Sequence, residues 1–322
     1  MAKILTGIQS TGTPHLGNIL GAIIPAIEMA NSSSEESYLF IANMHSLTQI
    51  KDVKVLNENT FSTAAAWLAF GLDPKKTCFF RQSDVPEVTE LAWYLSCFFP
   101  YQRLKLAHSF KDKADNLKDI NSGLFSYPML MSADILIYDA NVVPVGKDQL
   151  QHLEMTRDVA SRFNNLMGDT FIIPEAKIQE NSKYIIGTDG EKMSKSKSNI
   201  IDIFLDDKAL RKQIMKIQTQ SLSIEDPKDP EKCNVFKLFK LIASKEETKK
   251  LHSRYTKGGI GYGEAKEKLY NETLTRFSSN RQLFFELINN RDKVEGLLLE
   301  GASKARKQAQ NVLKRVRTRV GF

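Results

Sequence analysis

Cysteine, tryptophan and long apolar runs are scarce in this sequence. Its 322 residues include three cysteines and two tryptophans. Cys78, Cys97 and Cys233 are odd in number and far apart, so they form neither a disulfide framework nor a CxxC metal motif, and a reducing compartment is expected. No apolar run reaches the roughly 18 residues of a membrane helix, and the stretch from Met1 to Leu5 lacks a signal-peptide pattern. We therefore expect a cytoplasmic protein without a membrane segment.

The overall composition is that of an ordinary globular protein with a basic bias. Hydrophobic residues make up 42% of the chain and charged residues 26%, which is usual for a globular domain. The length exceeds the roughly 250–300 residues at which one hydrophobic core stops growing, so two domains are expected. A formal charge of +7 and a pI of about 9.1 suit a polyanionic partner, although alone they indicate only non-specific attraction.

Short apolar runs alternate with amphipathic stretches through the first half of the chain. The pattern predicts strands at 3–8, 38–43, 78–81 and 142–145, and helices at 18–30, 55–70, 87–98, 126–138 and from about 151. Two more short strands are predicted at 171–174 and 184–186. This alternation predicts an α/β protein with a Rossmann-like, doubly wound parallel sheet, in which ligands bind outside the carboxyl ends of the strands.

The second half of the chain has only helical patterns. Amphipathic helices are predicted at 200–216, at 237–250, from about 264 and at 293–320. We therefore divide the chain into a Rossmann-like domain, 1–199, and an all-helical domain, 200–322, whose last helix could pack back on the first domain. The last helix is strongly basic, and its cations either bind RNA or form a solvated face.

Two polar loops suit the binding of polyphosphate. The first, GTPHLGN at 12–18, opens the first predicted helix, and Gly17 would let the backbone approach a ligand closely. The second, EKMSKSKS at 191–198, carries the mobile charges of Lys192 and Lys195. A lysine- and serine-rich run is by itself most often a solvated loop. The pairing of the two loops favours a nucleotide site.

One predicted helix carries a carboxylate on an apolar face. Tyr127, Met131 and Asp134 recur at i, i+4 and i+7 and therefore share a side of the helix. A buried carboxylate costs several kcal/mol unless it is paired or hydrogen-bonded. Asp134 therefore either bonds a donor of the protein itself or accepts an N–H from a ligand in an apolar pocket.

The segment 95–101 is apolar and aromatic. Burial in the core is its ordinary explanation, and a subunit interface is the alternative, since an apolar helix end beside a charged loop is common at interfaces.

Taken together, these motifs resemble those of the bacterial tryptophanyl-tRNA synthetases, a family of class I aminoacyl-tRNA synthetases, over essentially the whole length. The motifs are GTPHLGN at 12–18, MSAD at 131–134, VPVGKDQ at 143–149, KMSKS at 192–196, GGIGYG at 258–263 and the end VGF at 320–322. The tyrosyl enzymes are the nearest alternative, but MSAD and the full KMSKS are similar to the tryptophan branch. Leu5 stands where an aromatic wall of the amino-acid pocket is expected.

The resemblance implies a two-step reaction. The carboxylate of L-tryptophan would attack the α-phosphate of Mg²⁺-bound ATP to give tryptophanyl-adenylate and pyrophosphate, and the aminoacyl group would then pass to tRNA(Trp). It also implies a homodimer with no protein-bound structural metal. Two further possibilities are a tyrosyl ligase or other nucleotidyltransferase with the same first signature, and a non-catalytic RNA-binding relative.

The resemblance also implies which residues act. The catalytic residues would be His15, Asn18, Lys192 and Lys195. ATP would be bound by Gln9, Ser10, Thr11, Gly17, Asn18, Gly146, Lys147, Asp148, Ile185, Lys192, Met193, Ser194, Lys195 and Ser196. Tryptophan would be bound by Gln9, Tyr127, Met131, Asp134 and Gln149, with Asp134 accepting the indole N–H.

Overall fold

A five-stranded parallel sheet forms the centre of the first half of the protein. The computed structural model describes residues 3–32, 36–107, 120–146, 149–178 and 184–322. Within them the strands are β1 (Lys3–Ile8), β2 (Glu36–Ile41), β3 (Thr77–Arg81), β4 (Val142–Val145) and β5 (Glu175–Ile178), in the spatial order β3-β2-β1-β4-β5. The predicted doubly wound α/β fold is confirmed.

The order of the strands reverses at β1, which lies between β2 and β4. All the strand pairs are parallel. Between β1 and β2 the register runs from Lys3 beside Glu36 to Ile8 beside Ile41. In such a sheet the connections after the two central strands leave in opposite directions and open a crevice at the carboxyl ends. The loops that follow Ile8 and Val145 therefore border that crevice.

Helices cover both faces of the sheet. The first helical stretch comprises α1 (Leu16–Asn18), a π-helical segment (Ile19–Ile23) and α2 (Ile24–Ser32). The other helices of the first half are α3 (Asn43–Ser46), α4 (Val53–Ala69), α5 (Glu87–Phe98), α6 (Tyr101–Leu104), α7 (Ser122–Leu136) and α8 (Leu150–Met167). Those of the second half are α9 (Asp207–Met215), α10 (Asn234–Ile242), α11 (Lys245–Lys257), α12 (Tyr262–Asn289) and α13 (Arg291–Val320). None of the helices described is long and apolar enough to cross a membrane.

Alternate strand residues enter two hydrophobic clusters, as expected for a sheet that is buried on both sides. Leu39 and Phe79 belong to one cluster, which continues into the second half through Phe204, Phe277 and Leu298. Tyr38, Phe40 and Phe80 belong to the other, which also contains Ala302, Ala305 and Val316 of α13.

The last helix packs along the edge strand β3. At Gly301 an added Cβ would come within 1.8 Å of the carbonyl oxygen of Phe79, so only glycine allows this approach. Three cations of α13 pair with carboxylates of the first half, at nitrogen–oxygen distances of 2.5–2.9 Å: Arg306 with Glu87, Arg315 with Asp139, and Arg317 with Glu90. These three side chains remain about half exposed, and each is also tied to a carboxylate of the first half.

Four element predictions are wrong, and β5 is not among the predicted strands. The segment 184–186 is not a strand, since only Ile186 pairs, in an isolated bridge with Lys192. The segment 171–174 is not a strand either: the side chain of Asn164 accepts the backbone N–H groups of Thr170 and Phe171. The predicted helix 237–250 is two helices, because Ser244 caps α11 by accepting the N–H of Glu247 at 3.1 Å. The predicted helix 200–216 is shorter, since Asp206 caps α9 in the same way.

Candidate active site

Two adjoining cavities lie at the carboxyl ends of β1 and β4. The larger, of about 860 Å³, is bordered by the first helix and the lysine–serine loop. The smaller, of about 500 Å³, lies between β1, β4 and α7. Both are lined by Gln9, Thr11, Asn18, Ala22 and Gly146. Ligands bound in the two cavities would therefore meet at the sheet's switch point.

The opening of the first helix fixes the hydrogen-bonding direction of His15. The backbone N–H of Asn18 donates to His15 Nδ1 at 3.3 Å, and the backbone N–H of His15 donates to Asn18 Oδ1 at 3.2 Å. Because Nδ1 accepts, the proton of the neutral ring is assigned to Nε2. Burial, and then the charge of Lys195, lower the pKa of His15 to about 4. At neutral pH the ring is therefore an uncharged donor on the wall of the larger cavity.

The lysine–serine loop is held by the side chain of Asn199. Asn199 Oδ1 accepts the N–H of Ser194 at 2.7 Å, while Nδ2 donates to the carbonyl of Lys192 at 3.0 Å and to Asp189 at 2.8 Å. The backbone of Met193 donates to the carbonyl of Ile185 at 2.9 Å. The loop is thus an ordered turn of a short antiparallel pairing, and its side chains line the larger cavity.

The two signature loops touch each other. The N–H of Gly17 contacts Met193 Sδ at 3.2 Å. Gly12 has a φ of +132°, and a Cβ added there would lie 2.7 Å from Lys195 Nζ. Burial lowers the pKa of Lys195, and the nearby carboxylate of Asp202 opposes this shift. The ammonium of Lys195 therefore lies over the backbone of the first loop, in the larger cavity.

Asp134 is buried in the smaller cavity and is held by two side chains that the sequence did not single out. Asp134 is only 2% exposed. His45 Nε2 lies 2.8 Å from Oδ2, and Gln82 Nε2 donates to Oδ1 at 2.8 Å and to Oδ2 at 2.9 Å. Burial raises the pKa of Asp134, whereas the bonds from His45 and Gln82 lower it.

Aromatic and thioether side chains form the remaining wall of the smaller cavity. The ring of Tyr127 lies 4.4 Å from that of His45. Phe40 lines the same space as Leu5 and Met131, and its ring rests on Gly7, where an added Cβ would come within 2.5 Å of Phe40 Cζ. Phe40 thus supplies an aromatic wall to the cavity in which Leu5 occupies the expected aromatic position.

The structure brings the predicted residues together in two groups. The larger cavity is lined by Gln9, Thr11, His15, Gly17, Asn18, Gly146, Ile185, Lys192, Met193, Ser194, Lys195 and Ser196. The smaller cavity is lined by Gln9, Tyr127, Met131, Asp134 and Gln149. The predicted Lys147 and Asp148 lie outside the described residues.

Ser10 is the one described member of the predicted ATP set that lines neither cavity. Its side chain is fully buried, and its hydroxyl lies 3.2 Å from those of Ser46 and Thr60. Any contact with a ligand would therefore have to come from its backbone.

The sequence interpretation missed His45, Gln82 and Tyr184, which lines the larger cavity. A signal was available for two of them: His45 follows β2 closely and Gln82 follows β3 directly. Polar residues after parallel strands lie at the ligand-binding edge of such a sheet. Among the residues described, no group of three or more histidine, cysteine or acidic side chains could hold a metal ion.

Comparison with known proteins places the chain in a family. The family model described as tRNA synthetases class I (W and Y) matches residues 1–278. The chain therefore belongs to the class I tRNA synthetases of the tryptophan and tyrosine family.

Within that family, several proteins of the tryptophan branch are similar to this chain. A tryptophan–tRNA ligase of Campylobacter jejuni is 45% identical over 99% of this chain and 100% of its own length, and one of Rhodopirellula baltica is 44% identical over 99% of both. The crystal structure of the Campylobacter jejuni synthetase complexed with ADP and tryptophan matches with a TM-score of 0.95, covering 99% of this chain and 100% of that one. That of Mycoplasma pneumoniae is 27% identical with a TM-score of 0.81, over 100% and 98% of the two chains. The resemblance inferred from the motifs is confirmed.

Proposed function

We propose that this chain is a tryptophan–tRNA ligase that activates L-tryptophan with ATP and transfers it to tRNA(Trp). The observation that carries the proposal is the buried carboxylate of Asp134, which His45 and Gln82 contact. It lies in a cavity that adjoins the larger cavity, whose loops suit phosphate binding. The relatives' names support the choice of amino acid, and the ADP and tryptophan of the Campylobacter jejuni complex support a two-cavity site.

In the first step the larger cavity would hold ATP, with Mg²⁺ entering as part of that substrate. An oxygen of the tryptophan carboxylate forms a bond to the α-phosphorus, and the bond from that phosphorus to the β-phosphate bridge oxygen breaks, releasing pyrophosphate. Such a transfer depends on positioning and charge stabilisation more than on covalent help from the protein. His15 Nε2–H, the amide of Asn18, and the ammonium groups of Lys192 and Lys195 supply that stabilisation.

The nucleotide's base and sugar would lie between the two loops. Ile185 and Met193, both buried in the wall of the larger cavity, flank the adenine. Gly146 lies at the end of β4, and with Lys147 and Asp148 it would bind the ribose. Gln9, Thr11, Ser194 and Ser196 add polar contacts around the phosphates.

The smaller cavity would select tryptophan by its indole N–H. Asp134 accepts that hydrogen bond, Met131 lines the ring, and Tyr127, Gln149 and Gln9 bind the α-amino group. A site built around a buried hydrogen-bonding group rejects ligands that lack the matching group by roughly 10⁴-fold or more. Phenylalanine would leave the carboxylate without its partner.

The remaining assignments concern the second half of the chain and its partners. The helical part, 200–322, would bind the anticodon of tRNA(Trp), with the domain boundary near 199. A homodimer would cover the apolar surface beside α5 and α6, where Trp93 is 69% and Tyr101 is 61% exposed. The scarcity of cysteine supports a cytoplasmic location.

Amino-acid-dependent exchange of pyrophosphate into ATP tests the proposal. Tryptophan, tyrosine and phenylalanine are compared with the purified protein and Mg²⁺-ATP. We expect exchange with tryptophan alone. Exchange with tyrosine instead would assign the chain to the tyrosyl branch, and no exchange with any of them would contradict catalysis.

A further inference from the structure

We propose that Gln82 is a positioning residue that aims one particular oxygen of Asp134, Oδ1, at the amino-acid ligand. The inference rests on the proposed function, because it concerns how the same pocket reads an N–H donor. Gln82 is 1% exposed. It does not line the cavity as described above, so its influence on the ligand would pass through Asp134.

The backbone fixes which way the Gln82 amide points. Its Oε1 accepts the backbone N–H of Met44 at 3.1 Å and that of His45 at 3.4 Å. If the amide were flipped, its NH₂ group would face those two donors, and its oxygen would face the carboxylate. The orientation is therefore assigned by its partners, and Gln82 presents a donor to Asp134.

The contacts leave the two oxygens of Asp134 unequal. Among the residues that the structure describes, Oδ2 has two neighbours, His45 Nε2 and Gln82 Nε2, whereas Oδ1 has one, Gln82 Nε2. An ionised carboxylate offers about four lone-pair sites, about two on each oxygen. The remaining acceptor site thus lies on Oδ1, and Asp134 itself lines the cavity.

The same contacts of Gln82 favour the form of Asp134 that can accept, against the effect of burial, which raises the pKa of this carboxyl. Gln82 offers only hydrogens to the carboxylate, and a protonated carboxyl would need an acceptor for its own proton at this position. Burial disfavours the charged carboxylate, and the donated bonds oppose that effect. Gln82 is therefore expected to control both where the acceptor lies and whether it is charged.

The test replaces the donor by a group of the same shape whose donor ability depends on pH. In Gln82→Glu, a carboxyl oxygen would stand where Nε2 now lies 2.8 Å from Oδ1, and two carboxylates this close share one proton. At low pH the shared proton donates to Asp134 and restores the contact. At high pH both groups ionise and repel each other. We expect kcat/KM for tryptophan in pyrophosphate exchange to fall about 10- to 100-fold relative to the unmodified protein as pH rises, with KM for ATP unchanged.

Other titratable groups lie near Gln82 and Asp134, so the pH profile of the variant has to be compared with that of the unmodified protein. His45 from α3, His152 from α8, and Tyr127 and Tyr138 at α7 surround the pair. Arg81 and Asp84 beside Gln82 pair with each other at 2.7 Å. Because all of these are also present in the unmodified protein, the ratio of the two pH profiles isolates the substituted side chain.

A matched control is available elsewhere in the fold. Gln308 lies within α13, and its Nε2 donates to the carboxylate of Asp139 at 2.9 Å, away from both cavities. Gln308→Glu makes the same chemical change beside another buried carboxylate. We expect the tryptophan kinetics of this variant to follow the unmodified protein at every pH.

Gln82→Met provides the second test, because methionine can neither donate nor be restored by a proton. The KM for tryptophan of Gln82→Met should rise by the same factor at every pH. Its KM for ATP should stay unchanged, which would show that the fold is intact. The proposal is wrong if the kcat/KM for tryptophan of Gln82→Glu, divided by that of the unmodified protein, stays constant across pH. It is also wrong if KM for ATP rises in both variants as much as KM for tryptophan does. If the unmodified protein shows no tryptophan-dependent exchange, the proposed function fails instead.

Discussion

His15 combines the start of a helix with an uncharged donor in the nucleotide cavity. Its Nδ1 accepts the N–H of Asn18, which satisfies one of the unpaired donors at the helix start. The same bond assigns the ring proton to Nε2. A single side chain therefore links the local structure of the first signature to the chemistry expected of it.

The lowered pKa of His15 predicts a dependence of stability on pH. The folded protein holds this ring neutral down to about pH 4, whereas the unfolded chain binds the proton from about pH 6.5 downward. The contribution of His15 to the free energy of unfolding is therefore complete above pH 6.5. As pH falls toward 4, the free energy of unfolding decreases by about 2–3 kcal/mol. Urea unfolding of the unmodified protein and of His15→Asn, which retains a good N-cap, measures it. The variant should lose less stability on acidification, and equal slopes would contradict the shift.

Removal of the Asp134 carboxylate predicts a loss of amino-acid binding. Asp134→Ala leaves Gln82 Nε2 and His45 Nε2 without their acceptor and takes away the partner of the indole N–H. KM for tryptophan should rise about 100-fold or more, and the free energy of unfolding should fall by about 1–3 kcal/mol. Calorimetric titration with tryptophan provides the check. An unchanged affinity would remove Asp134 from the ligand pocket.

Local spacing reveals some of these residues, but long-range pairing reveals the others. Tyr127, Met131 and Asp134 could be grouped from the sequence because i, i+4 and i+7 share a helix face. Gln82 and His45 could not, since they lie 52 and 89 residues from Asp134 in the chain. Such pairs depend on the arrangement of strands, which no local pattern specifies.

At the scale of elements, hydrophobic periodicity predicted the first four strands of the sheet but not β5. The predicted strand 3–8 coincides with β1, and the predicted helix 87–98 coincides with α5. The errors in the helices of the second half arose where a single polar side chain decides the backbone. Ser244 separates two helices, because it caps the start of the second. A serine followed three residues later by a glutamate, here Glu247, is a known helix-start signal, but the prediction followed the hydrophobic periodicity instead.

The contact of α13 with β3 predicts that two glycines of one helix respond oppositely to alanine. At Gly301 the new Cβ would meet the carbonyl of Phe79, so Gly301→Ala should destabilise the protein by about 1–3 kcal/mol or more. Nothing lies within 4 Å of a Cβ at the exposed Gly296, where alanine should stabilise the helix by up to about 1 kcal/mol. Thermal unfolding of both variants tests the pair. Equal effects would contradict the close packing.

At the scale of the whole molecule, the two halves of the chain share their hydrophobic clusters. Phe79 of the sheet and Leu298 of α13 lie in one cluster, and Phe80 and Val316 lie in the other. The ion pairs of Arg306, Arg315 and Arg317 join the same surfaces. The last helix is therefore part of the support of the sheet, and part of the basic charge of the sequence is paired with carboxylates of the first half. The division near 199 stays a prediction.

Charging of tRNA with labelled tryptophan tests the central claim most directly, because it requires both cavities and the helical half to act in one reaction. Purified protein is incubated with Mg²⁺-ATP, tRNA(Trp) and labelled tryptophan, and acid-insoluble label is measured, with tyrosine and tRNA(Tyr) as the matched control. We expect label that depends on ATP and on tRNA(Trp), and none in the tyrosine pair. Charging of tRNA(Tyr) with tyrosine, or failure to charge tRNA(Trp) despite active pyrophosphate exchange, would contradict the central claim.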